Sequence, residues 1–212
     1  RSWAFFGPPW QPAAAPNCII GAMNPLLSRL QPYPFERLRQ LFEGVAPNPA
    51  LRPISLGIGE PKHATPRFIQ DALAGDLATG LASYPPTAGS PALRTACADW
   101  LQRRYGVAVD PSTQVLPVLG SREALFALAQ TVVDRARPGA TVVCPNPFYQ
   151  IYEGATVLAG AAPHFVPVDP ARNFAPRWAE VPKAVWARTQ LVYVCSPGNP
   201  TGAVMPLDEW RL

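Results

Sequence analysis

Cysteine is scarce, with four residues in 212, and Cys18, Cys97, Cys144 and Cys195 form no CxxC pair. That spacing argues against a zinc site and predicts free thiols in a reducing compartment such as the cytoplasm. No stretch of about 18 apolar residues runs without a charge or a proline, so a membrane-spanning helix is not expected. Charge is thin as well: 15% of the residues are Asp, Glu, Lys or Arg, and the net +4 is scattered along the chain. The densest basic pairs, Arg103-Arg104 and Arg135 with Arg137, fall near predicted helix ends, where the helix dipole favours cations. No nucleic-acid surface is expected from them. What the sequence has in excess is proline, 28 residues, more than twice the ~5% of average usage. These prolines follow no repeat, which excludes collagen and a low-complexity linker. With 48% apolar residues the chain can bury a core.

The first 22 residues, rich in Pro, Ala and aromatics, lack the sustained apolar core and cleavage site of a secretory signal. They are expected to be an extraneous or disordered extension, with Met23 as the candidate start. Leu26, Leu27 and Leu30, then Phe35, Leu38, Leu41 and Phe42, predict two short helical pieces with a bend at Pro32 and Pro34. Thr65-Pro66 predicts a helix N-cap, followed by Phe68, Ile69, Ala72, Leu73 and Leu77 on one face. Ser90-Pro91 repeats the device, with Leu93, Ala96, Cys97, Trp100 and Leu101 as the stripe and Gly106 as the stop.

Beyond Gly106 the pattern alternates. An extended run at 115–119 precedes a helix at about 122–134, a strand at 141–144, a helix at about 149–158 and strands at 164–168 and 191–195. Strand and helix in alternation predict an α/β fold, a mostly parallel sheet with helices on both faces. Ligands of such sheets sit at the carboxyl ends of the strands, which directs attention to the loops after Leu119, Cys144 and Cys195.

Each of these loops has an unusual composition. Gly120-Ser121-Arg122-Glu123 runs from an apolar segment into a helix, whose free N–H groups and positive dipole end suit a phosphate; an ordinary N-cap reads the same way. Pro145-Asn146-Pro147-Phe148-Tyr149 fixes two aromatics in a stiff turn, where one can stack on a flat heterocycle or merely cover the core. Ser196-Pro197-Gly198-Asn199-Pro200-Thr201-Gly202 holds an amide between prolines and glycines, a rigid mount for a directed hydrogen bond.

Taken in order, these loops resemble the class I and II aminotransferases of pyridoxal 5'-phosphate (PLP) fold type I. Gly57-Ile58-Gly59-Glu60-Pro61, Tyr84-Pro85-Pro86-Thr87-Ala88-Gly89 with Leu93-Arg94, and Pro147-Phe148-Tyr149 complete the match, which covers about residues 23–212. The resemblance implies that 23–60 form an N-terminal arm and small-domain segment, and that 61–212 form the first part of a large PLP-binding domain. It implies that Ser121 and Arg122 cradle the cofactor phosphate, that Tyr149 stacks on the pyridine ring, and that Asn199 reaches the phenolic oxygen and the substrate carboxylate. Gly59 would meet that carboxylate, and Tyr84 would reach the cofactor phosphate of a second subunit in a homodimer. Substrates would be amino acids and keto acids.

The resemblance also implies residues that are not found in their usual contexts: an aspartate for the pyridine nitrogen, the lysine that holds the cofactor, and an arginine for the substrate carboxylate. Lys62 and Lys183 are the only lysines, and neither lies in the family's lysine context. The chain is therefore expected to be truncated before the catalytic lysine, to carry no catalytic residue itself, and to be inactive alone. Lys62-His63 after Gly-Glu-Pro, with Pro32-Tyr33-Pro34-Phe35-Glu36-Arg37-Leu38, resembles the bacterial N-succinyldiaminopimelate aminotransferases, implying lysine biosynthesis with glutamate as donor. Solvated loop residues account equally well for Lys62 and His63, and His164 suits a sheet edge. Aspartate, alanine or aromatic aminotransferases and PLP-dependent C–S lyases remain alternatives, as does a non-catalytic PLP-binding regulator.

Overall fold

A computed structural model of the chain describes residues 24–54 and 56–211. The expected N-terminal extension, Met23 and Cys18 lie outside the described residues. Two units divide the chain, residues 33–121 forming one, and residues 122 onward with the segment that ends at Pro32 forming the other.

In the first unit, α1 (Pro34–Leu41) follows in sequence a 3-10 turn at Pro25–Arg29 of the other unit, the two short helical pieces read from the leucine pattern. Helix α2 (Arg67–Gly80) is capped by Pro66 rather than by Thr65. Pro66 itself takes the extended conformation at the boundary (φ −53°, ψ 140°), and the Thr65 carbonyl accepts from the Gln70 side chain at 2.7 Å. Helix α3 (Pro91–Tyr105) is bounded as its sequence predicts: the Ser90 side chain accepts from the Leu93 amide at 3.2 Å, and Gly106 closes the helix at φ 69°. The run at 115–119 forms no ladder with any described strand, which corrects the expected strand; Leu119 is fully exposed.

The second unit holds the sheet. Helix α4 (Ser121–Val132) leads to β1 (Thr141–Asn146), α5 (Ile151–Leu158), β2 (Ala162–Asp169), a short β3 (Ala175–Pro176), α6 (Lys183–Trp186), β4 (Thr189–Val192) and α7 (Leu207–Arg211). The strand order is β3-β2-β1-β4, with β1 parallel to both neighbours and β3 antiparallel to β2. β1 is buried on both faces, as its unbroken Thr-Val-Val-Cys run requires of a central parallel strand. Val142 and Cys144 face a core built by Ala129 of α4, Tyr152 and Ala155 of α5, and Tyr193. Val143 faces the opposite core with Val166, Val181, Trp178 and Val185, so both faces are covered. Each fully buried valine contributes about 1.5–3 kcal/mol. Pro145 is still in register with Val166, and Pro147, which has no N–H to donate, follows the last residue of β1.

Two tethers fix the direction of α4. At its carboxyl end the Asp134 amide donates to Gln190 Oε1 at 2.7 Å, and Gln190 Nε2 donates to the Asp134 carbonyl at 3.2 Å. Toward its amino end the Leu125 carbonyl accepts from the Tyr193 hydroxyl at 2.7 Å. Gln190 lies at the start of β4 and Tyr193 just past its end, so α4 runs antiparallel to the strand. The first turn of α4 therefore lies at the carboxyl rim of the sheet.

Candidate functional site

The carboxyl rim collects the loops singled out by composition. Ser121 and Arg122 open α4, both exposed, and the first-turn N–H groups of a helix have no intrahelical acceptor. They present the positive end of the dipole outward at the rim.

The turn after β1 separates its aromatics by role. Phe148 stacks on Phe165 with centroids 4.8 Å apart at 15°, and Tyr152 stacks on Tyr193 at 4.3 Å and 11°. Both belong to the core or its cover. Tyr149 stays half-buried and meets Tyr152 edge-on at 5.9 Å and 85°. That packing holds the Tyr149 ring against α5.

Asn199 is exposed, on a loop closed by its own hydrogen bonds. The Gly198 amide donates to the Ala203 carbonyl at 2.8 Å and the Gly202 amide to the Gly198 carbonyl at 2.7 Å. The Met205 amide donates to Ser196 Oγ at 2.9 Å. Gly198 is required because a Cβ there would lie 2.7 Å from Thr201 Oγ1, and Gly202 because its φ is +73°. Among the described residues the Asn199 amide has no hydrogen-bond partner, so it is free to engage a ligand. It borders a cleft walled by Pro145, Pro147, Cys195, Phe174 and Trp178.

The ionisable groups beneath the rim are held neutral. Burial, then the nearby Glu153, pushes the Cys144 thiol up to about 12. Burial also raises the Tyr152 phenol, with Cys195 adding to the effect, and raises the Tyr193 phenol. None of the three is an anion near neutrality, and among the described residues no cluster can hold a metal ion.

Gly59 and Tyr84 lie in the other unit, both exposed, Tyr84 at 99%. Lys62 and His63 are exposed there too, and Lys183 opens α6. Sequence reasoning missed Asn173, Phe174, Trp178 and Cys195 as walls of the cleft. The Arg172-Asn173 turn chemistry was the available signal for the first two. Among the described residues no helix is long and apolar enough to cross a membrane.

The backbone N–H groups of the first turn of α4, the Tyr149 ring and the Asn199 amide suit a phosphorylated planar heterocycle: donors for an anion, a flat face, and a directed polar contact. The aminotransferase class I and II family matches residues 52–212. An LL-diaminopimelate aminotransferase from Desulforudis audaxviator is 40% identical over 84% of this chain and 45% of its own length. The crystal structure of an aminotransferase from Neisseria meningitidis Z2491 is 51% identical, with a TM-score of 0.83 over 89% of this chain and 48% of that one. N-succinyldiaminopimelate aminotransferase from Mycobacterium tuberculosis is 38% identical, with a TM-score of 0.66 over 73% of this chain and 40% of that one. The chain thus spans about half the length of the relatives it matches, and it belongs to the class I and II aminotransferases, a PLP-dependent family.

Proposed function

We propose that this chain is the cofactor-anchoring part of a PLP-dependent aminotransferase acting on a diaminopimelate-type substrate. The observation that carries the reading is the shared rim: the first turn of α4, Tyr149 and the Asn199 loop all stand at the carboxyl ends of one sheet. PLP supplies an electron sink for the carbon bearing the amino group. The chain's residues supply binding and orientation. The amides of Ser121 and Arg122, with the Ser121 hydroxyl, hold the phosphate against the helix dipole. The half-buried Tyr149 covers one face of the ring and keeps water from it. Asn199, rigidly mounted between Gly198 and Gly202, donates to the phenolic oxygen and steadies the substrate carboxylate. Gly59 offers its N–H to that carboxylate, and Tyr84, exposed in this chain, reaches the phosphate site of a second copy in a homodimer.

The lysine that holds the cofactor and moves the proton is expected in the C-terminal part that the relatives possess, which leaves the 212 residues inactive alone. Two substrates compete. The likeness to the M. tuberculosis structure supports an N-succinylated substrate, for which this reading takes glutamate as the amino donor. The 40% identity to the D. audaxviator protein favours free LL-diaminopimelate.

The test uses the family-length polypeptide. Added PLP gives a visible absorption band, borohydride fixes the cofactor on a lysine beyond Leu212, and amine transfer is assayed with LL-diaminopimelate and with its N-succinyl derivative, each against 2-oxoglutarate. Fixation on Lys62 or Lys183, or no visible band, overturns the proposal. The faster of the two amines decides the substrate.

A further inference from the structure

The loop that carries Asn199 is braced by a second segment, the excursion between β2 and β3. Its 3-10 turn, Pro170–Arg172, is capped by Asp169, whose Oδ1 accepts from the Ala171 amide at 2.9 Å. Asn173 and Phe174 follow, and both take left-handed conformations, φ 51° and 58°, which is costly for residues with a Cβ. The Phe174 amide donates to the Asp169 carbonyl at 2.8 Å, which locks the turn.

This conformation directs two groups toward the stretch following Gly202. Asn173 Nδ2 donates to the Val204 carbonyl at 3.3 Å. Arg172 Nη2 pairs with Glu209 Oε1 at 2.5 Å, and the Glu209 side chain is only 16% exposed. The Phe174 ring and Asn199 border the same cleft. The loop's internal hydrogen bonds fix its shape, whereas the Asn173 and Arg172 tethers fix where that shape sits relative to the sheet.

We propose that Arg172 and Asn173 are positioning residues for Asn199, holding the stretch that follows its loop so that the amide meets its ligand at a fixed distance. The inference rests on the reading of Asn199 as a cofactor contact. A displacement of the order of an ångström is enough to weaken such a contact strongly.

The test compares Asn173→Gly, which keeps the left-handed backbone and removes the amide, with Arg172→Gln, both in the family-length polypeptide. Amide hydrogen exchange at Gly198, Gly202, Ala203 and Met205 is expected to accelerate about threefold to tenfold, the range set by one net hydrogen bond. The β1 amides of Val142, Val143 and Cys144 report global unfolding, which breaks the same tether, and should accelerate by no more than that factor. With PLP bound, the pH midpoint of the visible band is expected to move in both variants, a signature that a merely structural tether would not produce. Unchanged exchange overturns the inference whatever the cofactor does. Faster exchange with an unmoved midpoint overturns positioning and leaves only a tether. Absence of a visible band in the parent protein instead overturns the reading of Asn199, and this inference with it.

Discussion

Cys144 makes the sheet sensitive to alkali. It is fully buried at the centre of β1, and its thiol, ordinarily near 9.0, is pushed up to about 12 by burial and by Glu153. In the unfolded chain the thiol ionises near its ordinary value, so above that point the unfolded state has given up a proton that the folded state keeps. The folded pKa is the raised one; the stabilisation is therefore complete below pH 9 and is lost as pH rises toward 12. At pH 10 the loss amounts to about 1.4 kcal/mol, with a slope approaching 1.4 kcal/mol per pH unit above that. Against a total of about 5–15 kcal/mol this is a large share. Urea midpoints of the family-length protein and of Cys144→Ala are to be compared from pH 7 to 10.5. The variant starts lower, having lost buried volume, but its curve should fall less steeply by the stated amount. Pulse alkylation read by mass spectrometry adds a site-resolved check: half-buried Cys195 labels readily in the native protein, and Cys144 only on opening. Parallel stability curves, or equal labelling of the two thiols at pH 8, would refute the reasoning.

Three substitutions probe the rim. Gly198→Ala places a Cβ against Thr201 Oγ1 and should displace the Asn199 loop, costing about 1–3 kcal/mol as overpacking; Gly198→Ala combined with Thr201→Ala should recover part of it in thermal melts, and no recovery counts against the clash. Tyr193→Phe removes the hydroxyl that donates to the Leu125 carbonyl and should lower stability by about 0.5–1.5 kcal/mol in urea titration, a zero effect showing that the bond is dispensable. Asn199→Ala in the family-length enzyme should weaken PLP binding about tenfold or more, the worth of a hydrogen bond to a charged group, as measured by titration of the visible band. Affinity within twofold of the parent removes Asn199 from the site.

Legibility followed the density of local chemistry. Helix α3 was readable at both ends because Ser90, Pro91 and Gly106 each permit few conformations, and β1 because an unbroken apolar run of β-branched residues fits only a doubly covered strand. The Asn199 loop announced itself through its prolines and glycines. The run at 115–119 misled, since an apolar extended segment reads as a strand whether or not a partner strand lies beside it. Thr65 misled by one position, because either residue of a Thr-Pro pair can stand at the boundary and Pro66 does. β3 and the Asn173-Phe174 turn left almost no trace: two ladder residues have no period, and the left-handed pair is held by Asp169 and Val204, the latter 31 residues distant. Tertiary tethers of this kind carry the part of the site that a linear pattern cannot.

The widest disagreement between pattern and burial lies in residues 33–121, and it yields a last prediction. The stripe Phe68, Ile69, Leu73 and Leu77 has the spacing of a buried helix face, yet all four are exposed, Phe68 at 74%, and α1 and α2 contain no buried residue. Each such side chain would contribute about 1.5–3 kcal/mol if covered. Without that contribution, helices of the length of α1 and α2 are marginal in water, since nucleation is unfavourable and isolated helices below about 12–15 residues hold poorly. Only α3 has the caps to persist alone. The prediction is that this unit gains its order only when the face is covered by surface outside the described residues. Expressed by itself, the segment 33–121 should show far less helical ellipticity at 222 nm than α1–α3 would give together, with no cooperative melt. Joined to the rest of a family-length polypeptide, it should gain both, and Phe68→Glu should then destabilise the protein by an amount comparable to unburying one phenylalanine. A cooperative melt of the isolated segment, or a neutral Phe68→Glu, would mean that the stripe is truly a solvent-facing surface.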